Sequence, residues 1–175
     1  MRKLFAKYEM QLLQLNRAAF SSKINNLPND IQLEMASDDN LHLIKENAES
    51  AHKYRSWQKY LKNGARGVFA IYGGTIIGYG WLKSKGIKDS FYVLGEEVAY
   101  LSEFFVAEAF RGRCIYPAMI SWLVESSPQY NEFYISAYTS NNASLRGLAK
   151  VGFSLTKTLV FKRAFKMTFN KYKII

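Results

Sequence analysis

Residues 110–120 read "FRGRCIYPAMI" and bring together the groups that hold an anion. Arg111 and Arg113 bracket Gly112, and an apolar run of helical character follows at once. The stretch before it, "VAYLSEFFVA", is almost continuously apolar, as a central strand is. A strand-to-helix turn leaves the first N–H groups of the helix unpaired, at the positive end of its dipole. Arginine forks match phosphate oxygens, and a glycine lets a phosphate approach the backbone. A diphosphate-bearing ligand is one reading of the turn, and a surface turn with two solvated arginines is the other. Cys114 is the chain's one cysteine. A thiol at such a helix start could serve as a nucleophile, but no histidine lies nearby in sequence to activate it. It is expected to act as a compact turn residue of helical φ whose backbone N–H does the binding.

A second stretch, "SNNASLRGLAKVGF", reads as a short helix capped by Asn141 and stopped by Gly152. Between the two, "EFYISAYT" alternates as a strand does. Glu103 on the first strand and Glu97 at its start are candidate proton acceptors, or else carboxylates paired with a nearby Lys or Arg. His42 and His52 are expected to be exposed helix residues. Tyr54, Trp57, Tyr60, Tyr79, Trp81, Phe91 and Tyr92 form an aromatic set that could stack on a sugar or nucleobase, although core packing explains most of it.

The elements that must position these residues follow from periodicity. Phe5, Tyr8, Leu12, Leu15 and Ala19 recur at spacings of three and four, predicting an amphipathic helix over residues 4–20. "IQLEMA" alternates as a half-buried strand, and two helical patterns run from residue 38 to Gly64. "GVFAIY" and "TIIGYGWL" flank a Gly73–Gly74 hairpin turn, "SKGIKDSFYVLGE" reads as a polar connection, and the last 20 or so residues fit two strands. The expected fold is α/β, with a mixed sheet in one layered domain and an added N-terminal helix. At 175 residues and 49% hydrophobic content, one core is affordable and two are not.

Composition narrows the function classes. One cysteine forms no internal disulfide, and two histidines supply no cluster at metal-ligand spacing, so no metal is expected. No apolar run reaches the roughly 20 residues of a spanning helix, and the N-terminus does not resemble a leader, so a cytoplasmic protein without an integral membrane segment is expected. The net charge of +10 favours anionic partners without choosing among them. The basic tail "KTLVFKRAFKMTFNKYK" reads as strands with lysines on the wet face, and no nucleic-acid motif accompanies it.

The two motifs together resemble those of the GNAT acyltransferase superfamily. Its pyrophosphate motif has Arg or Gln, two residues, Gly, one residue, then Gly or Ala. Arg111 fills the first place, while Cys114 and Tyr116 stand at the glycine positions. Its second signature is matched by Asn141, Ser144, Lys150, Gly152 and Phe153, about 25 residues downstream. The likeness is strongest over residues 66–155, which divides the chain into an N-terminal helix and linker (1–30) and an acyltransferase domain (31–175).

The resemblance implies a mostly antiparallel sheet flanked by helices, and direct transfer of an acyl group from acetyl-coenzyme A, or another acyl-coenzyme A, to an amine. It places the pantetheine arm in an opening between "AYLSEFFV" and "EFYISAYT", along Phe104, Phe105 and Val106. Pyrophosphate would lie on Arg111, Gly112, Arg113, Cys114, Ile115 and Tyr116, with Asn141, Ser144 and Arg146 on the far side. Many relatives place a tyrosine acid where this chain has Leu148. Tyr138 is then the candidate acid, unless coenzyme A leaves unaided as thiolate, and Glu103 is the candidate base. The expected acceptor is a small-molecule amine, anionic in keeping with the basic surface, such as an amino sugar nucleotide. The look of "GYGWL" and "RGRCIYPAMI" is similar to that of small bacterial members linked to surface-polysaccharide synthesis. A protein or peptide acetyltransferase and a non-catalytic binding module are the alternatives, and a homodimer stays open.

Overall fold

A computed structural model describes residues 5–44, 48–84, 92–95, 97–164, 167–168 and 172–174; for residues 5–8, 44, 48–52, 92–94 and those beyond 160 it describes the backbone alone. The chain runs through strands β1 (Phe5–Asn16) and β2 (Gln32–Met35), helix α1 (Ala48–Lys62), and strands β3 (Arg66–Tyr72), β4 (Thr75–Lys83), β5 (Tyr92–Leu94) and β6 (Val98–Val106). Helix α2 (Ile115–Glu125), strand β7 (Glu132–Tyr138), helix α3 (Asn142–Val151) and strands β8 (Ser154–Ala164), β9 (Met167–Thr168) and β10 (Tyr172–Ile174) complete it.

Eight strands form one sheet in the order β2-β3-β4-β6-β7-β1-β8-β9, antiparallel throughout except where β6 meets β7. Both faces are covered, and β3 shows it in its alternation. Val68 and Ala70 join the core under α2 and α3, whereas Phe69 and Ile71 join an aromatic core with Trp57 of α1 and Trp81. In that second core the Trp57 ring lies 5.6 Å from those of Phe69 and Trp81 and 4.5 Å from that of Tyr79. Trp57 and Trp81 are therefore packing residues, as most of the aromatic set was expected to be.

The expected N-terminal helix is not formed. Residues 5–16 are instead an interior strand, hydrogen-bonded to β7 on one side and β8 on the other. Its apolar residues sit on both faces, Met10 and Leu12 on one and Leu13 and Leu15 on the other, so strict alternation breaks at Leu12–Leu13 and imitates helical spacing. Residues 5–16 are thus part of the sheet rather than an appendage to it. At the end of β1, Arg17 donates to the carbonyls of Val124, Ser127 and Tyr130, which ties the C-terminal end of α2 to the sheet.

Two smaller expectations also change. The first of the two helical patterns is a 3-10 turn at Leu41–Ile44, and α1 begins only at Ala48. The polar connection after β4 contains β5, which pairs in parallel with β10; Phe91 lies outside the described residues.

Candidate active site

The site starts from a parting of strands. β6 and β7 pair in parallel from Val98↔Glu132 to Leu101↔Ile135 and no further. Beyond that point β6 stays with β4, through Phe105↔Tyr79, while β7 stays with β1, through Tyr138↔Met10. The two halves of the sheet separate and leave the backbone edge of Ser102–Val106 facing a wedge. Such an edge can pair with the amides of an extended ligand.

A bulge shapes this edge. Opposite Gly80 the register of β6 slips, with Trp81 facing Ser102 and Tyr79 facing Phe105, and Glu103 takes a left-handed φ of 58°. Gly80 is needed there, because a Cβ would stand 2.2 Å from the Phe104 ring. The bulge also swings Glu103 onto the α1 side of the sheet, toward Tyr60 and Lys83.

On the other side of the wedge lies a groove of about 560 Å³, lined by Phe104–Val106, the turn before α2 and the first turns of α3. The turn begins with Arg111, whose Nε donates to the Val106 carbonyl at 3.2 Å. It reaches α2 through Gly112 at φ 81° and Cys114 at φ 58°. The expected helical φ at Cys114 is therefore wrong, since this residue holds the left-handed backbone that glycine adopts freely. Cys114 caps α2 without a side-chain hydrogen bond, and Pro117 has no N–H. The N–H groups of Ile115 and Tyr116 have no partner among the described hydrogen bonds, so the helix presents them to the groove.

Arg113 turns away, and its guanidinium pairs with both carboxylate oxygens of Asp30 at 2.9 and 3.0 Å. The groove's cations are Arg111, Arg146 and Lys150. On α3 the Asn141 side chain accepts from the Ser144 N–H at 3.1 Å, and the Ser144 hydroxyl donates to the Tyr116 phenol at 2.9 Å. Leu148, at the place of the family's tyrosine, is fully buried in the core.

Past the wedge is a chamber of about 330 Å³, whose walls include Tyr60, Lys83, Ser102, Glu103 and Tyr138. Both spaces fall in the roughly 300–1,000 Å³ range of small-molecule sites. Glu103 Oε1 accepts from the Tyr60 hydroxyl at 2.5 Å and from Lys83 Nζ at 2.9 Å. Lys83 is buried, while the Glu103 side chain is 40% exposed. Burial, followed by the hydrogen bond to Glu103, raises the pKa of Tyr60, which therefore stays protonated. Tyr138 sits at the rim, 47% exposed. The Ser102 hydroxyl is buried and unpartnered among the described residues. Tyr100 and Ser136 share a 2.7 Å hydrogen bond across the floor.

The proposed phosphate, pantetheine and catalytic residues thus gather around two connected spaces, with Arg113 the exception. Lys83, the partner of Glu103, was not foreseen; its one trace is a lysine closing the otherwise apolar "IIGYGWLK". Lys150 stands out in the sequence only as part of a motif, and no residue pattern marks the buried Tyr116 hydroxyl. Glu97 is exposed at the start of β6, and His42 is exposed on its 3-10 turn. The His52 side chain lies outside the described residues. Among the described residues no three His, Cys, Asp or Glu gather as metal ligands, and no helix is long and apolar enough to cross a membrane.

A strand wedge opening beside an uncapped helix N-terminus defines an α/β domain of acyltransferase type. A sequence model of the Acetyltransferase (GNAT) family matches residues 30–153, and the chain belongs to that family. Solved structures with the same fold include an acetyltransferase of the GNAT family from Colwellia psychrerythraea (TM-score 0.66, 16% identity, 89% of this chain and 55% of that one). Another is a putative acetyltransferase of the family from Novosphingobium aromaticivorans (TM-score 0.64, 11% identity, 90% of this chain and 66% of that one). A third is the GCN5-related glucosamine N-acetyltransferase region of a fungal multi-domain β-N-acetylglucosaminidase (TM-score 0.63, 13% identity, 90% of this chain and 21% of that one). The chain therefore spans about half to two thirds of the two bacterial structures. Comparison with curated proteins yields no match.

Proposed function

We propose that the protein is a cytoplasmic bacterial enzyme that moves the acyl group of acetyl-coenzyme A, or another acyl-coenzyme A, directly onto the amine of a small anionic acceptor such as an amino sugar nucleotide. The observation that carries this is the wedge itself, an unpaired β6 edge running from a phosphate-type turn to a chamber that holds a carboxylate.

Pyrophosphate is held by the N–H groups of Ile115 and Tyr116 with Arg111, and pantetheine amides pair with the β6 edge. A backbone N–H near Phe104–Val106 stabilises the oxyanion that forms when the amine attacks the thioester carbonyl. The amine must lose a proton to attack, and Glu103 is the acceptor of that proton, directly or through a water. Lys83 and Tyr60 keep its Oε1 occupied, which leaves the other oxygen for this task. The hydroxyls of Tyr60, Tyr100, Ser136 and Tyr138 along the chamber suit a polyhydroxylated acceptor, and the net charge of +10 suits an anionic one.

Release of free thiol from acetyl-coenzyme A tests the proposal. Amino sugar nucleotides are expected to stimulate it, and polyamines and peptides are not. Stimulation by polyamines or peptides alone would refute the acceptor class. Absence of any calorimetric heat and thermal shift with acetyl-coenzyme A would refute the enzyme.

A further inference from the structure

The groove and the chamber share four residues, Phe104, Tyr116, Asn141 and Ser144. With the coenzyme's phosphates on the turn and the acceptor amine in the chamber, the thioester must lie at this neck. The side chain at Tyr116 crosses it. The ring packs edge-on against Phe104, centroids 5.3 Å apart. It passes α3 beside Gly147, where a Cβ would come within 2.7 Å of it. Its oxygen accepts the Ser144 proton, so the phenol's own proton points elsewhere.

From this placement, and resting on the acyltransferase reading above, we infer that Tyr116 is a catalytic residue whose hydroxyl donates a hydrogen bond to the departing coenzyme A sulfur. The amine nitrogen, neutral once Glu103 has passed its first proton to solvent, forms its bond to the carbonyl carbon and loses its second proton to Glu103. The C–S bond then breaks with its electron pair kept on sulfur. The Tyr116 hydroxyl stabilises the resulting thiolate, which takes a proton from solvent after release. The role belongs to this chain because the residue stands where the family motif carries glycine or alanine, while the helix α3 position of the family's tyrosine is a buried leucine. Burial pushes the Tyr116 phenol up to about 12, against a smaller lowering by Ser144. The group is accordingly a hydrogen-bond donor at neutral pH rather than a source of transferred protons.

The test needs only coenzyme A, labelled with 13C at the carbon bonded to sulfur and titrated on the protein from about pH 6 to about pH 10. In the wild-type protein the bound thiol should titrate about one pH unit below its value in Tyr116→Phe, because only the wild type donates to the thiolate. Ser144→Ala, which frees the phenol's orientation, should give an intermediate value, and it decides the matter if Tyr116→Phe does not fold. The charged groups around the neck, Lys83 and Glu103 on one side and Arg111, Arg146 and Lys150 on the other, are the same in all three proteins. Equal thiol titration in wild type and variants that all bind coenzyme A would overturn the inference and leave the acyltransferase reading standing. Failure of the wild type to bind coenzyme A would overturn both.

Discussion

The coenzyme groove and the acceptor chamber meet at one neck, yet they are assembled in opposite ways. The phosphate end of the groove comes from six successive residues, Arg111 to Tyr116, whose local geometry aims the N–H groups of a helix. The polar cluster of the chamber joins Tyr60, Lys83 and Glu103 across sequence separations of 43, 23 and 20 residues. The phosphate end of the groove therefore depends on backbone conformation and tolerates side-chain change at Cys114. The chamber depends on a bulge in β6 and on side chains brought together by the sheet, and it tolerates less.

Five substitutions would break or sharpen that contrast. The largest effect is expected for Gly152→Ala, which tests the backbone side. Gly152 ends α3 at φ 108°, and a Cβ would lie 2.2 Å from the Ala19 carbonyl oxygen. Urea denaturation should show a loss of about 3 kcal/mol or more, from strain plus a steric clash. Lys83→Met tests the side-chain cluster. It leaves the Glu103 carboxylate without its buried cation, and partial exposure of Glu103 limits the expected loss to roughly 1–3 kcal/mol. Acetyl-coenzyme A affinity should not change, and a large change would mean that the two spaces are not separable.

Arg111→Ala should weaken coenzyme A binding by roughly 1–3 kcal/mol in calorimetry with little effect on stability. Arg113→Ala should shift affinity by less than about 0.5 kcal/mol, because that guanidinium is engaged by Asp30 in an exposed pair. Equal losses from the two arginines would contradict the assignment of the groove. Cys114→Gly is expected to act on stability alone. Relief of a left-handed φ should raise stability by about 1 kcal/mol or less, with affinity preserved, as thermal denaturation and calorimetry would show.

What could be read in the sequence follows the same division. Both motifs lie on contiguous residues, so the turn into α2, the Asn141 cap and the Gly152 stop could be placed without a structure. The hairpin at Gly73–Gly74 and the central position of β6 were legible for the same reason. β1 was not, because an interior strand covered on both faces loses its alternation, and its apolar residues then fall at helical spacings. Glu103 stands out as a candidate, but its ties to Lys83 and Tyr60 are long-range and leave no local trace beyond the lysine that closes β4. The conformation of Cys114 was misjudged because a left-handed φ is rare outside glycine and nothing in residue type announces it.

The central claim is that coenzyme A lies across both regions, with its phosphates on the α2 turn and its pantetheine along the open edge of β6. Amide hydrogen exchange with and without coenzyme A tests it residue by residue. Slower exchange is predicted at Ile115 and Tyr116 together with the Phe104–Val106 edge, with no comparable change in β2 or β8. Protection confined to other parts of the sheet, or none in either segment at saturating coenzyme A, would contradict it.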